Sequence, residues 1–452
     1  MSIYKDQFIK IFIAIFIGAA VFAISINVFT MTQSALLGSI ALLVTLWTNE
    51  GLPLGVVSLL PIILFPAFSI LETKATTINY SHPIIYLFLG GFMLAIAVEK
   101  TNLHTWIADK MLAIFPATSK GIIFSLVITA GMLSSVLSNT TTTLLLISIA
   151  LFLTDNPKLK MRFALAIAYG ASVGGILTPI GTPPNLILLG IMQDKGMELI
   201  PFLQWMMMVA PLVFMMFFVV ASLLSIGVKE IPIEIIKNNQ PLDANQKKVL
   251  YVICGLITLL LLNAPLKPYW DGLGLSEAGI LLGFGLLLFA PPFNILDWMQ
   301  DKGKIPYRIM FLFGAGFSIA KAFSHTGLAD EFASYLLSMT DLAPILLLLA
   351  VASLITFTTE ITSNTALISI MLPVIYSVAE QSGINTTLFM MVATVCASYA
   401  FMLPIATAPN AIAMSSGVVS IKNMARYGVF LNLIGIGLIV LIAEFFWKGI
   451  IH

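Results

Sequence analysis

Long apolar segments separated by short polar loops run from one end of the chain to the other. A hydrocarbon core about 30 Å thick is crossed by about 20 helical residues, and eleven segments reach or approach that length. The predicted spans are 8–29, 34–48, 53–69, 84–99, 161–193, 203–228, 248–264, 276–293, 306–323, 386–415 and 427–447. This pattern predicts an all-α polytopic membrane protein with eleven transmembrane helices.

Two further apolar blocks, 121–154 and 342–379, carry polar residues at their centres. Each block is short for two complete crossings and a turn, so we expect each to form a re-entrant helical hairpin. Non-helical tips at membrane depth are tolerated only where protein or a water-filled cavity surrounds them. The alternative is a pair of tilted crossings joined by an ordinary loop.

Composition and charge are typical of the same class. Hydrophobic residues make up 59% of the 452 residues and charged residues 10%, whereas a soluble domain has about 25% charged residues. The net charge of +1 implies no nucleic-acid partner. Most of the 22 Lys and Arg residues fall on one side of the predicted topology. The positive-inside rule therefore predicts a cytoplasmic N-terminus and an outside C-terminus in the plasma (cell inner) membrane.

The chain repeats itself at a constant offset of 225 residues. The matching pairs are "LGGFMLAIA" (89–97) with "GAGFSIAKA" (314–322), "SNT" (138–140) with "SNT" (363–365), and "TPIGTPPN" (178–185) with "LPIATAPN" (403–410). Three motifs in one register indicate a duplicated unit. Because five predicted crossings separate the copies, we expect two inverted repeats. Inverted repeats with broken helices are typical of secondary transporters, whose sites lie near the midplane between the repeats.

Each copy contains a proline-rich motif that interrupts an apolar segment. As one helix, 161–193 would be about 50 Å long, and Pro179, Pro183 and Pro184 oppose a continuous helix. A simple proline kink is the alternative, since such kinks are tolerated in membrane helices. The recurrence of the motif at 403–410 favours a true break into two half-helices.

Asn139 and Asn364 each follow a Ser and precede a Thr. Such residues begin helices well, so both triplets are predicted at the hairpin tips, where the returning arms start. The threonines at 140–143 have another option, because their hydroxyls can bond carbonyls one turn earlier. The Asn amides have no such option and need other partners.

The two tips and the two breaks are predicted to meet at one site. Half-helix N-termini suit an anion, and carbonyl ends and hydroxyls suit sodium. The four motifs contain no Lys or Arg, so an anion would be held by dipoles, hydroxyls and amides together with sodium ions. Ser134 and Thr359 each lie five residues before an Asn tip, and Gly181 and Ala406 correspond in the breaks. We therefore expect two sodium sites, one per repeat.

At these motifs the sequence resembles the divalent anion/sodium symporter family, over nearly the whole chain. The two "SNT" triplets, "GTPPN", "TAPN" and "TEITSNTA" (359–366) carry the resemblance. It implies a sodium-coupled importer of C4-dicarboxylates such as succinate, malate and fumarate. It also implies a homodimer, embedded in membrane lipids, that works by an elevator mechanism. A sodium-coupled carrier of citrate, sulfate or another oxyanion is the alternative.

The resemblance further implies roles for residues and segments. The implied substrate-binding residues are Ser138, Asn139, Thr140, Thr182, Pro183, Ser363, Asn364, Thr365 and Thr407. The implied sodium-binding residues are Ser134, Asn139 and Gly181 in one repeat, and Thr359, Asn364 and Ala406 in the other. The scaffold would comprise 1–120, with an interfacial helix, and 229–341, and the transport domain 121–228 and 342–452. Ala408 stands where the family usually has a proline, which bears on the choice of anion.

Other classes of function fit the sequence less well. An intramembrane enzyme needs a nucleophile–base pair or a carboxylate dyad, and no such motif occurs in the spans, so no enzyme is expected. A channel would not explain two hairpins, and a proton-coupled antiporter would need buried acidic residues. Glu360 is an intramembrane carboxylate and a functional candidate for that reason. The alternative is that it bonds backbone groups near the hairpin tip, and the sequence leaves both readings open.

Overall fold

The structure, a computed structural model, describes residues 2–233, 241–265, 270–336 and 343–450. Within these ranges the chain forms helices and loops, with one isolated β-type pairing between Thr118 and Pro232. Seven helical segments of the described chain are long and apolar enough to cross a membrane. Six shorter apolar helical segments of 10–17 residues accompany them. The protein is therefore an all-α membrane protein, and the count of eleven crossings with two re-entrant hairpins stays a prediction.

The N-terminal part contains seven helices. They are α1 (Ser2–Ser25), α2 (Met31–Asn49), α3 (Leu54–Val57), α4 (Pro61–Ala67), α5 (Thr73–Thr77), α6 (Pro83–Lys100) and α7 (Leu103–Leu112). Helices α1 and α2 approach closely, since a Cβ on Gly38 would lie 2.9 Å from the carbonyl oxygen of Gly18. The predicted span 53–69 is divided into α3 and α4, because Pro61 begins a new helix.

The first predicted hairpin and the first predicted break both form as helix pairs. The helices are α8 (Ser119–Ser134), α9 (Asn139–Phe152), α10 (Pro157–Gly174), α11 (Pro183–Asp194) and α12 (Phe202–Ser225). Both hairpin arms, α8 and α9, pack against α10. The segment 161–193 is interrupted between α10 and α11, as its prolines predict.

The middle of the chain contains two longer helices and three short ones. They are α13 (Ala244–Asn263), α14 (Glu277–Leu287), α15 (Trp298–Asp301), α16 (Tyr307–His325) and α17 (Leu328–Leu336). Helix α14 packs against α6 but ends earlier than the predicted span 276–293, because Pro291 and Pro292 follow it. The buried carboxylate of Asp301 lies 2.6 Å from Lys100 Nζ, which ties the end of α6 to α15.

The last part repeats the hairpin and the break. Its helices are α18 (Pro344–Thr359), α19 (Asn364–Ser382), α20 (Thr386–Cys396), α21 (Ala408–Ser415) and α22 (Ile421–Phe445). Helices α8, α9 and α11 begin 225 residues before α18, α19 and α21. Both arms α18 and α19 pack on α20, while α21 packs on α9 and α10, and α11 packs on α19. The two sets of hairpin and broken helix therefore interlock.

Buried apolar residues form two clusters in the described chain. The larger one joins α6 to α16 with both hairpins, both broken helices, α12 and α22. The smaller one joins α1–α4 with α16, α17 and one face of α19, and includes Leu36, Phe65 and Phe323. Every element that carries a predicted site residue thus contributes to the larger cluster.

Candidate functional site

The hairpin tips begin helices at the predicted triplets. Ser138 is the N-cap of α9 and Ser363 is the N-cap of α19, so Asn139 and Asn364 each occupy the first helical position. Residues at this position have backbone N–H groups without an intrahelical acceptor. At each tip, backbone N–H groups without an intrahelical acceptor and an Asn side chain therefore lie together at the N-terminal end of the helix.

Each Asn side chain is held by a hydroxyl from the descending arm. Ser134 Oγ donates to Asn139 Oδ1 at 2.6 Å, and Thr359 Oγ1 donates to Asn364 Oδ1, also at 2.6 Å. Ser134 and Thr359 are fully buried. The predicted partners therefore meet in both repeats at the same distance, and each pair offers two neutral oxygens side by side. Thr359 Oγ1 also lies 2.9 Å from the carbonyl oxygen of Ala397.

The threonine run behaves in part as expected. Thr143 Oγ1 donates to the carbonyl of Asn139 at 2.7 Å, which is the predicted bond one turn back. The hydroxyl of Thr142 is buried without a partner in the described chain, so it does not follow the same pattern. Thr140 instead lines a cavity between the tips and the breaks.

The side-chain amide of Asn185 bonds across the break between α10 and α11, a role that was not predicted from the sequence. Asn185 Nδ2 donates to the carbonyls of Thr178 at 2.9 Å and Gly175 at 3.3 Å. Its counterpart Asn410 repeats this pattern in the second break, with distances of 2.9 and 3.0 Å to carbonyls at the corresponding positions. Both sequence motifs contain these asparagines at the 225-residue offset, and this match was the signal that could have indicated their shared role.

Gly175 lets the first break approach the first tip. A Cβ at this position would lie 2.8 Å from Asn139 Oδ1 and 3.2 Å from the carbonyl oxygen of Gly181. Only a residue without a side chain fits between these groups. The amide oxygen of Asn139 and the carbonyl of Gly181 consequently lie around one point, and such oxygens are ligands that suit a hard cation such as sodium.

The tips and the breaks enclose a cavity of about 320 Å³. All nine predicted substrate-binding residues line it, namely Ser138, Asn139, Thr140, Thr182, Pro183, Ser363, Asn364, Thr365 and Thr407. Of the predicted sodium-binding residues, Asn139, Gly181, Asn364 and Ala406 also line it. Ser134 and Thr359 lie behind the two asparagines and contact them instead. The structure thus brings the predicted residues together, and their roles in binding stay predictions.

The cavity is polar but uncharged. Of the described residues that line it, none is Asp, Glu, Lys, Arg or His. Four helices, α9, α11, α19 and α21, begin at its wall, and helix N-termini carry partial positive charge. The arrangement can therefore attract an anion through peptide dipoles, hydroxyls and amides.

One wall of the cavity was not predicted from the sequence. Phe88, Gly91, Phe92 and Ala95 of α6 line it together with Ile309 of α16. Gly91 and Ala95 are one helical turn apart, so they form a small-residue face that leaves room for the cavity. The motif at 89–97 signalled a repeat, but nothing in it indicated which helix face would meet the hairpins.

Glu360 bonds backbone groups, which was one of its two open readings. Its Oε1 accepts from the N–H groups of Phe401 at 2.8 Å and Met402 at 2.9 Å, and its Oε2 accepts from that of Leu403 at 3.0 Å. Asn432 Nδ2 of α22 donates to Oε1 at 2.7 Å. The carboxylate is 3% exposed and does not line the cavity, so it joins the second hairpin to the second break and to α22.

Comparisons with known sequences show the family to which the chain belongs. The sequence family described as citrate transporter matches residues 40–394. The sodium-dependent dicarboxylate transporter SdcS of Staphylococcus saprophyticus is 30% identical, over 96% of this chain and 91% of its own length. SdcS of Staphylococcus aureus strain USA300 is 33% identical, over 89% of this chain and 83% of its own length.

Comparisons with solved structures agree on the fold. MtrF of Neisseria gonorrhoeae, described as illuminating a class of antimetabolite efflux pumps, has a TM-score of 0.59 at 15% identity over 81% of this chain and 83% of its own. The YdaH transporter of Alcanivorax borkumensis has a TM-score of 0.60 at 14% identity over 83% of this chain and 88% of its own. At such identities the likeness concerns the fold alone.

Proposed function

Because this chain belongs to the citrate transporter family and to the divalent anion/sodium symporters, we propose that it imports C4-dicarboxylates into the cell together with sodium. It is a sodium-coupled dicarboxylate transporter, and sodium is its coupling ion. Succinate, malate and fumarate are the proposed cargo. The proposed transport cycle is of the elevator type.

One observation carries the proposal. The 320 Å³ cavity is built from both repeats and presents neutral donors without a single charged side chain among its described lining residues. A doubly negative solute in such a cavity needs positive charge from another source, since burying unpaired charge is costly. Sodium ions bound at the tips would supply this charge, so binding of the anion and binding of sodium would be coupled.

The proposed roles follow the two repeats. The carboxylates of the anion would contact 138–140 and 363–365, with Thr182, Pro183 and Thr407 beside them. One sodium ion would lie near Ser134, Asn139 and Gly181, and the other near Thr359, Asn364 and Ala406. The hydroxyl–amide pairs at 2.6 Å and the closeness of Gly175 to Asn139 support the first elements of this assignment.

Citrate is the second candidate cargo. The family that matches residues 40–394 is described as citrate transporter. Other oxyanions such as sulfate complete the alternatives. A competition panel of succinate, malate, fumarate, citrate and sulfate against labelled succinate would rank them.

The elevator proposal divides the chain into a scaffold, 1–120 and 229–341, and a transport domain, 121–228 and 342–452. The interlocking of α9, α10 and α21 supports a single moving unit. The proposed topology has two inverted repeats, with eleven crossings and two hairpins. The N-terminus would be cytoplasmic and the C-terminus outside. The protomer would work as a homodimer in the plasma membrane, surrounded by lipid.

Sodium dependence is the decisive test of this function. Purified protein in proteoliposomes should accumulate labelled succinate when sodium is high outside and low inside. Replacing external sodium with potassium should reduce the initial rate at least tenfold, because sodium is the coupling ion. Equal uptake in the two salts would reject sodium coupling, and collapse of the sodium gradient with an ionophore serves as the control.

A second expected result concerns movement of the two domains. His82 Nε2 at the start of α6 lies 3.3 Å from Asp194 Oδ1 at the end of α11, so this contact joins the proposed scaffold to the proposed transport domain. With Cys254 and Cys396 replaced by Ala, a His82→Cys, Asp194→Cys pair should be joined by a short bifunctional thiol reagent. Cross-linking should reduce succinate uptake to background, and a reducible linker should allow recovery after reduction.

The matched control joins two positions within one domain. Tyr376 and Glu380 lie one turn apart on α19, with their side chains in contact at 3.0 Å. The same reagent applied to a Tyr376→Cys, Glu380→Cys pair should leave uptake intact, since no relative movement is blocked. Full uptake by the cross-linked His82–Asp194 pair would contradict the proposed domain movement.

A further inference from the structure

The two half-helices that face the cavity begin differently. Helix α11 starts with Pro183 and Pro184, whereas α21 starts with Ala408 and Pro409. Proline has no backbone N–H, so the first two positions of α11 offer no donor to the cavity. Ala408 offers one at the first helical position, where no intrahelical acceptor exists. Its side chain is exposed and the residue lines the cavity.

The two hairpin tips differ in the same direction. Ser138 Oγ accepts the N–H of Thr141 at 3.1 Å and donates to Thr141 Oγ1 at 2.9 Å. Residue 366, which corresponds to Thr141, is Ala, and the hydroxyl of Ser363 makes no side-chain capping bond. Ser363 lines the cavity. Its hydroxyl proton is therefore available to a bound solute, whereas that of Ser138 is already used.

The threonines at the two breaks do not offset this difference. Thr182 makes no side-chain capping bond, and Thr407 Oγ1 only accepts, from the N–H of Asn410 at 3.4 Å. Both hydroxyls consequently keep a proton to donate. The second repeat's half of the cavity thus has two more available donors than the first, the N–H of Ala408 and the hydroxyl of Ser363.

We propose that this donor-rich half recognises an α-hydroxycarboxylate, so that the protein prefers anions with a hydroxyl beside one carboxylate over their unsubstituted analogues. The inference rests on the proposed function and narrows its substrate class. A plain dicarboxylate presents the same acceptors at both ends and leaves the additional donors of the second half unmatched. A hydroxyl oxygen adjacent to the carboxylate supplies a further acceptor for the donors of the second half. Donors that stay without an acceptor when the anion is bound weaken binding.

The test uses pairs of anions that differ only by this hydroxyl. Malate is compared with succinate, and citrate with propane-1,2,3-tricarboxylate, as competitors of sodium-driven labelled succinate uptake in proteoliposomes. For the unaltered protein, the hydroxylated member of each pair should inhibit at about five- to tenfold lower concentration, which corresponds to one net hydrogen bond. Equal inhibition within both pairs would overturn the inference.

Three variants locate the preference. Ala408→Pro removes the N–H while keeping a residue that suits the first helical position, and it should reduce the malate preference to about twofold or less. Ser363→Ala should weaken the preference as well. Ala408→Val adds similar bulk but keeps the N–H, so its preference should stay near that of the unaltered protein.

The outcomes separate this inference from the function on which it rests. Sodium-dependent uptake with no preference, or with a preference that survives both Ala408→Pro and Ser363→Ala, would overturn the inference and leave the transport function standing. A preference lost equally in Ala408→Val would also overturn it, since bulk and not the N–H would be responsible. Absence of sodium-dependent succinate uptake by the unaltered protein would reject both.

Discussion

Sodium-driven succinate uptake is expected to fall at least a hundredfold when either Asn139 or Asn364 is replaced by Ala. Each residue begins a hairpin arm at the cavity, and its Oδ1 accepts from a buried hydroxyl at 2.6 Å. Truncation removes a proposed sodium ligand together with an amide that is proposed to contact the anion. Loss of one hydrogen bond to a charged group costs about 1.5–3 kcal/mol, and two such losses exceed a factor of 100 in affinity. The measurement is the initial rate of uptake in proteoliposomes.

A control asparagine separates this effect from a general effect of the substitution. Asn27 lies two residues after the end of α1, where its amide donates to the carbonyls of Ala23 and Ile24 on an exposed surface. Asn27→Ala should transport at a rate within about twofold of the unaltered protein. Equal yields of monodisperse protein in detergent would show that the two tip variants fold. Normal uptake by both tip variants would remove the hairpin tips from the site.

The two tips also allow the two proposed sodium sites to be told apart. Ser134→Ala removes the hydroxyl that holds Asn139, and Thr359→Val removes the one that holds Asn364 while preserving shape. If each repeat binds one sodium ion, each variant should raise the sodium concentration needed for half-maximal uptake and lower the steepness of the sodium dependence. An unchanged sodium dependence in both variants would contradict two sodium sites of this composition.

Much of the fold followed from local rules. Proline favours helix starts and ends, although Pro66, Pro211 and Pro373 lie inside helices. The breaks before Pro183 and Pro409 were therefore predicted from the sequence, and the division of 53–69 at Pro61 follows the same rule. The division at Pro61 was nevertheless not predicted, because the apolar run continues through it. The early end of α14 has the same origin in Pro291 and Pro292, which follow an uninterrupted apolar stretch.

The site was readable to the extent that it repeats. Motifs in one register identified the tips and the breaks, since chance does not preserve three matches at a constant offset. The apolar wall from Phe88 to Ala95 was missed, because the face that α6 turns to the cavity depends on how it packs on α14. Contacts that occur in only one of the two repeats were not predicted, for the same reason. The partner of Glu360 on α22, Asn432, has no signal at the offset and depends on tertiary packing alone.

The two repeats differ at Glu360. Its counterpart is Ser135, and in the first repeat the N–H groups of Ile176 and Leu177 bond to carbonyls three residues earlier, at 3.2 and 3.0 Å. In the second repeat, α20 ends at Cys396 and the corresponding N–H groups turn to the carboxylate instead. The second break is therefore more unwound than the first, and one acidic side chain holds it in place.

Replacing Glu360 with Ala is accordingly expected to destabilise the protein by about 4 kcal/mol, because it leaves two buried and two part-buried donors without an acceptor at about 1–3 kcal/mol each, in part relieved by water. Glu360→Gln keeps one acceptor oxygen and turns an NH₂ group toward one N–H, so its cost should be about 1–3 kcal/mol. Thermal unfolding in detergent measures both, and the Ala variant should unfold at clearly lower temperature than the Gln variant.

A role in transport chemistry predicts a different order of effects. If the Glu360 carboxylate itself carried a proton or bound the cargo, Glu360→Gln would abolish uptake as completely as Glu360→Ala, although the Gln variant loses much less stability. If it acts by holding 401–403, uptake should decline in step with stability. Asn432→Ala, which removes only one of the four donors, should then retain most uptake and stability. In both uptake rate and unfolding temperature, Asn432→Ala should then lie between the unaltered protein and Glu360→Gln. This order would show that Glu360 holds the second break in place and takes no direct part in transport.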